Sequence, residues 1–362
     1  MRSKAGKSLL KIYLDGRIDS SNASSVEKEI MDIIQLNEEL DVTFDADGLK
    51  YISSAGLRVL LKVRKLKGKS IEITNVSDEV LEIFTTTGFT DLFDITRPMR
   101  RIYLERTDVL IRSVNGEIHR QPDDNIVKVF HEGTPLGEIK KERENAHNAL
   151  VAGIPTLIPF DIVAVGNCYG IVFEAAGSLS LAQAITREPE RLGEYAVKFA
   201  GFLHELHEIQ VGDEFPNIKE RYRGWLERAG LFLSDDDRRN INALINGIPD
   251  SSGYVHGDIN PANVIMSDGE MMLMDMAGSA HGHPIFDLQG LYASLVEIEK
   301  ERSMYCSSTF GISGDNCVKF WDIFFPAYMG GRSEAELDKM RTLLGRYYVL
   351  KQRLLSVLEE KS

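Results

Sequence analysis

The stretch Tyr254-Val-His-Gly-Asp-Ile-Asn-Pro-Ala-Asn-Val-Ile-Met266 carries a carboxylate, Asp258, and a carboxamide, Asn263. After a turn at Asp268-Gly269, Met271-Met-Leu-Met-Asp-Met-Ala-Gly278 adds a second carboxylate, Asp275. Two apolar, strand-like runs flank the turn, so the three polar groups fall on adjacent loops. Phosphoryl transfer from a nucleotide needs such a set. One aspartate orients the attacking hydroxyl and accepts its proton, while an amide oxygen and a second carboxylate hold Mg²⁺, a hard cation that prefers oxygen ligands. A lysine on an earlier strand must reach the phosphates, and a helix glutamate must hold that lysine. Lys128 and Glu144 stand in that order. Each residue alone would be an ordinary surface or turn group; the conjunction carries the reading.

These groups need elements to position them. Asp108 to Arg120 reads as two strands around Asn115-Gly116, a strong hairpin dipeptide. Asn125 to Phe130, with Lys128, is a third strand. Ile158 to Val165 and Tyr169 to Phe173 are two more. Leu136 to Val151, dense in charge, reads as a helix, and helices dominate from Leu179 to about Ile245. In the C-terminal stretch, Leu337, Met340, Leu344, Tyr347 and Tyr348 recur at helical spacing, predicting one or two packed helices. His204-Glu-Leu-His207 has i, i+3 spacing rather than the i, i+4 of a zinc-protease helix, so it reads as a packed or surface helix face. Asp235-Asp-Asp reads as the solvated start of a helix.

The first hundred residues follow a different plan. Leu9 to Leu14 reads as a strand closed by the turn Asp15-Gly16. Val26, Ile30, Ile33 and Ile34 mark a helix, Asp41 to Phe44 a second strand, and Ala55 to Leu66 a second helix. Ile71 and Ile73 mark a further strand, and Ser77 caps a helix that Gly88 stops. Strands alternating with helices predict a mainly parallel sheet. Ser53 and Ser54 sit where a strand end turns into a helix; a hydroxyl there can cap the helix, and a phosphate added there would meet free N–H groups and the positive dipole end.

Two resemblances follow from these residues. Gly16-Arg-Ile-Asp19 with Tyr51-Ile-Ser-Ser-Ala-Gly-Leu57 resembles the STAS domain of anti-sigma factor antagonists. That resemblance implies a protein partner and makes Ser54 a candidate phosphoacceptor, although Ser53 and Ala55 depart from the common pattern. His256-Gly-Asp-Ile-Asn-Pro-Ala-Asn263, Asp275 and Gly282-His-Pro-Ile-Phe-Asp287 resemble the aminoglycoside phosphotransferase and choline kinase-like family, whose fold is similar to protein kinases. On that resemblance Asp258 is the catalytic base, Asn263 and Asp275 bind Mg²⁺, and His256 and Asp287 support the catalytic loop. Lys128 contacts the α/β-phosphates of ATP, paired with Glu144 or with Glu142 on the same helix. The strand end at Phe173-Glu-Ala-Ala176 reads adenine through Glu174 and Ala176, and C-terminal helices wall the acceptor pocket.

The expected organisation is an α/β STAS domain at 1–100, a linker around Thr96 to Arg101, and an α+β kinase-like domain at 106–362, with a β-rich N-lobe (106–176) and a helical C-lobe (177–362). The chain has 362 residues, 43% hydrophobic and 27% charged, the balance of a folded protein. Residues 1–105 hold 16 Lys/Arg and 17 Asp/Glu, so nearly all of the net charge of −13 belongs to the rest. Such acidity excludes a general nucleic-acid binder and favours a cationic acceptor. No apolar run could span a bilayer, and the basic start lacks the apolar core of a signal peptide. Three cysteines without Cys-x-x-Cys spacing fit a reducing cytoplasm. The expected activity is ATP- and Mg²⁺-dependent phosphorylation of a hydroxyl on a small molecule or protein. The alternative is a signalling adaptor whose kinase fold is a nucleotide-dependent switch.

Overall fold

The computed structural model describes the chain apart from residues 7, 105–108, 114–115, 122–124, 175–178, 231, 268 and 360–362. It forms two compact units, Met1–Arg100 and Arg101–Ser362.

The first unit runs β1 (Ser3–Ala5), β2 (Leu9–Ile18), α1 (Ala23–Gln35), β3 (Asp41–Ile52), α2 (Ser54–Lys67), β4 (Glu72–Thr74), α3 (Asp78–Thr86) and β5 (Asp94–Ile95). The strands lie in chain order; β1 is antiparallel to β2 and the remaining pairs are parallel. Parallel neighbours need crossovers, and α1, α2 and α3 provide them. The core joins Ile12, Leu14, Phe44 and Ile73 of the sheet to Ile30, Val63 and Phe84 of the helices. No turn forms at Asp15-Gly16, contrary to the sequence expectation. β2 continues to Ile18 because Gly16, at φ +70°, lies where its pairing with β3 slips register, a bulge absorbed inside the strand. Ser53 is extended and its Oγ accepts from the N–H of Ala55 at 3.2 Å, so it is the N-cap. Ser54, the first helical residue, is exposed.

The second unit opens with a five-stranded antiparallel sheet. Its strands are β6 (Val109–Ser113), β7 (Gly116–Arg120), β8 (Asn125–Phe130), β9 (Pro159–Val165) and β10 (Cys168–Glu174), in the order β6-β7-β8-β10-β9, with α4 (Leu136–Val151) packed against it. The helical part contains β11 (Leu179–Ser180), α5 (Leu181–Arg187), α6 (Leu192–Glu208), α7 (Ile218–Ala229), α8 (Asp235–Gly247), the short strands β12 (Tyr254–Val255), β13 (Val264–Ser267), β14 (Glu270–Leu273) and β15 (Ala280–His281), then α9 (Ile285–Tyr292), α10 (Ile298–Glu301), α11 (Tyr305–Phe310), α12 (Gly314–Met329) and α13 (Glu334–Glu359). One core runs from Ile126 and Ile171 on the sheet through Phe199 and Leu203 to Leu344 and Leu354 on α13. The expected turn residues Asn115 and Asp268, and the expected hinge residue Ala176, lie outside the described residues. Among the described residues no helix is long and apolar enough to cross a membrane.

Candidate active site

Lys128 lies on the face of β8 that also carries Ile126 and Phe130, because alternate strand residues share a face. It is only 2% exposed. An ammonium in that position requires partners, and it has two: Glu142 Oε1 at 2.6 Å and Asp275 Oδ1 at 3.0 Å. The glutamate is Glu142, not Glu144. The buried stripe of α4 is Ile139, Glu142, Asn145, Ala146 and Ala149, spaced by threes and fours; Glu144 falls on the exposed face. Burial works to lower the Lys128 pKa, but the charges of Asp275 and Glu142 outweigh it and the net shift is upward. Two carboxylates share one ammonium, so burial and repulsion from Asp275 push Glu142 up to about 7.

The loop after β12 is built on Asp287. Its Oδ2 accepts from the His256 N–H (2.8 Å) and its Oδ1 from the Gly257 N–H (2.7 Å). His207 Nε2 stands 3.2 Å from the same Oδ2, and Tyr328 OH lies 2.8 Å from His207 Nδ1. Burial alone would raise the Asp287 pKa; the His207 and His256 hydrogen bonds and charges outweigh it and hold the group below the usual carboxylate range. The His256 ring reaches the Met274 carbonyl at 2.9 Å, tying this loop to the one that carries Asp275. β12 pairs with β15, and β13 pairs with β14 from Val264–Leu273 to Ser267–Glu270. The two loops therefore emerge side by side.

Asp258 and Asn263 meet in that space. The Asn263 amide donates to the Asp258 carbonyl at 2.9 Å and to its Oδ2 at 3.4 Å. The Asn263 Oδ1 makes no hydrogen bond among the described residues. Asp258 is open to solvent yet crowded by protein atoms; that desolvation, opposed by His256 and aided by the like charge of Asp275, raises its pKa. Asp275 itself adopts φ +60°, a left-handed conformation that costs free energy and commonly marks a functional loop. Two further side chains hold this loop from behind: Asn145 of α4 donates to the Met276 carbonyl at 3.0 Å, and Arg221 of α7 donates to Gly278 and Ser279 carbonyls at 2.8 and 3.2 Å.

Sequence reasoning missed His207, Asn145 and Arg221 as positioning groups. The first two had a signal, a polar side chain in register with an apolar helical stripe; Arg221 had none. At the expected hinge, the Glu174 N–H donates to the Ile158 carbonyl (3.1 Å), and its carboxylate accepts from the Ile158 N–H (3.0 Å). Both bonds tie Glu174 to Ile158, just ahead of β9.

An α/β STAS-type unit followed by a kinase-like unit is the class that fold and site define. Residues 3–109 match the STAS domain and residues 116–306 match the phosphotransferase enzyme family. The chain belongs to the phosphotransferase enzyme family and carries a STAS domain ahead of the catalytic fold. Its first part is similar to BtrV of Bordetella bronchiseptica, described as a candidate anti-sigma factor antagonist: 35% identical over 86 residues, 23% of this chain and 72% of that protein. It is also similar to the anti-sigma-B factor antagonist of Listeria monocytogenes, 28% identical over 87 residues, 23% of this chain and 75% of that one. Among solved structures it is similar to amicoumacin kinase hAmiN in complex with AMP-PNP, Ca²⁺ and Ami (15% identity, 78% of this chain and 86% of that, TM-score 0.43). A choline/ethanolamine kinase family protein from Mesorhizobium loti matches at 13% identity, 68% of this chain and 76% of that, TM-score 0.44.

Proposed function

We propose that residues 106–362 transfer the γ-phosphoryl group of ATP to a hydroxyl, and that residues 1–100 bind a protein partner. The observation that carries the first part is the pairing of Lys128 on β8 with Asp275, and of Asn263 with Asp258, where Asp275 and Asp258 stand on two adjacent loops.

Asp258 holds the acceptor hydroxyl and takes its proton; desolvation raises its pKa, which makes its carboxylate a better proton acceptor. Lys128 supplies the positive charge for the phosphates, held in place by Glu142. Asn263 and Asp275 offer two oxygen-bearing side chains, and among the described residues no group of three or more His, Cys, Asp or Glu could hold a metal. Two protein ligands suit Mg²⁺, which otherwise keeps waters and substrate phosphates. The ion would neutralise charge on the transferring group. Asp287, His207 and His256 keep Asp258 aimed.

Ser54 supports the second part of the proposal. Exposed at the first position of α2, it can be reached by a partner kinase, and a phosphate there would face the helix N-terminus.

The test is ATP consumption by the purified full chain across a panel of hydroxyl acceptors with and without Mg²⁺. Metal-dependent turnover that Asp258→Ala abolishes while nucleotide binding persists supports the enzyme. Nucleotide binding with no turnover on any small molecule or protein favours a switch.

A further inference from the structure

Beside Asp258 lies a cavity of about 130 Å³ whose lining includes none of Lys128, Asn263 and Asp275. Its walls come from the Asp258 loop, α9, the π-helical segment Ala293–Glu297, α10, α11 and α13, and include Asp258, Gln289, Tyr305, Tyr348 and Lys351. None of the nucleotide-side groups lines it, so it is where an acceptor would present its hydroxyl. This inference rests on the phosphotransfer reading above.

Two polar groups in its wall are incomplete. Lys351 of α13 is half-buried, and among the described residues its ammonium makes no hydrogen bond or ion pair. Burial lowers its pKa, opposed by the charges of Asp258 and Asp287. Gln289 is 2% exposed, and its amide nitrogen donates to Tyr222 OH (3.2 Å) and the Phe286 carbonyl (3.0 Å). That fixes the orientation of the carboxamide and leaves its Oε1 buried with no donor among the described residues. A polar group withdrawn from water without a partner costs free energy. A ligand that pairs with Lys351 is therefore favoured; Gln289 Oε1 is closed even to water and lies out of a ligand's reach.

We infer that the acceptor is a small hydroxyl compound bearing an anionic group, a carboxylate or phosphate, that pairs with Lys351. The overall acidity of the second unit had suggested a cationic acceptor, but the charge that faces the cavity decides the matter. Asp287 is already engaged by the His256 and Gly257 N–H groups and by His207. Asp258 is reserved for the reacting hydroxyl, and the one remaining charge is positive. At about 130 Å³ the cavity is smaller than the roughly 300–1,000 Å³ of sites for drug-sized ligands, so it suits a fragment rather than a large polycyclic substrate.

The test uses probes of similar size: glycerate, glycerol 3-phosphate, glycerol and 3-amino-1,2-propanediol. Their binding to the full chain without ATP is measured by titration calorimetry, and their phosphorylation is measured with ATP and Mg²⁺. We expect one or both anions to bind more tightly than glycerol or the amine. Lys351→Gln should weaken the bound anion about 10- to 100-fold and leave glycerol unchanged, while Lys351→Arg retains binding. The carboxylate and phosphate arms separate the two kinds of anion. If neither anion binds better than glycerol, or if the amine is preferred, the inference is overturned. It is overturned equally if Lys351→Gln lowers kcat alike for all acceptors, because the lysine then serves the phosphoryl group. Anions that bind through Lys351 but are not phosphorylated, by a chain that turns over other acceptors, overturn the assignment of the acceptor; no turnover on any acceptor sinks the phosphotransfer reading and leaves the cavity's charge preference standing.

Discussion

Gly257 and Gly278 lie backbone against backbone, joining the loop that presents Asp258 to the loop that presents Asp275. A Cβ on Gly257 would lie 2.9 Å from the carbonyl carbon of Gly278 and closer still to its oxygen; a Cβ on Gly278 would lie 2.7 Å from the His256 carbonyl oxygen. Gly257 also has φ +82°. Close approach and backbone conformation thus both require glycine at the same point.

Gly257→Ala should consequently abolish phosphotransfer and destabilise the second unit by more than the roughly 1–3 kcal/mol of an unfavourable backbone conformation alone. Gly133→Ala is the control. It has φ +90° with open space around the position, so only the backbone cost applies. Both tryptophans, Trp225 and Trp321, lie in the second unit, so denaturation followed by their fluorescence reads its stability directly. Equal losses in the two variants would show that the loop contact is unimportant.

Glu142→Gln should lower kcat/KM for ATP about 10- to 100-fold, the scale of a hydrogen bond to a charged group. Glu144→Gln, on the exposed face of α4, should stay within about twofold, as surface changes usually do. Steady-state kinetics at varied ATP decides between them. A larger effect at Glu144 would mean that α4 turns in the working enzyme.

The pairing of Lys128 also shows what the sequence could reveal. The order lysine, glutamate, Asp258, Asn263, Asp275 was readable because each residue type is dictated by the chemistry. Which of two glutamates serves depends on helix phase, and the charge density of α4 hides a stripe whose apolar members are only Ile139, Ala146 and Ala149. The strands β8, β9 and β10 were legible from apolar runs and turn residues. β2 was misread at Asp15-Gly16 because a bulge and a turn use the same residues. His207 was set aside on metal-ligand spacing, although its place on the buried stripe with Leu203 and Leu206 marks it as a packed polar group. Lys351 could not be read at all. Its importance comes from a cavity that forms only when α13 packs beside a loop far away in the chain.

In the first unit, Ser53 and Ser54 should respond oppositely to substitution. Ser53→Ala removes the α2 cap and should cost about 1 kcal/mol. Ser54→Ala leaves the cap in place and should be nearly silent. Ser54→Asp sets a negative charge at the helix N-terminus and should gain about 0.3–1 kcal/mol. Calorimetric unfolding of the three variants checks the order. Should Ser54→Ala cost as much as Ser53→Ala, the assignment of the cap to Ser53 fails.

The shared ammonium of Lys128 gives the second unit a pH dependence of defined sign. Glu142 has a pKa of about 7 in the folded chain against an ordinary value of 4.5. Between those values the folded protein holds a proton that the unfolded chain has released. Stability from this group is therefore present at the acid end and falls as pH rises through the interval, at up to about 1.4 kcal/mol per pH unit. Glu142→Gln removes the titrating group, so the variant should lack this component. Denaturation curves read by tryptophan fluorescence across pH 4.5 to 7 should show the wild type losing ground to the variant as pH climbs. Parallel curves would mean that Lys128 neutralises Glu142 fully despite Asp275. A wild type that instead gains on the variant with rising pH would reverse the assignment and place the unneutralised charge on Asp275.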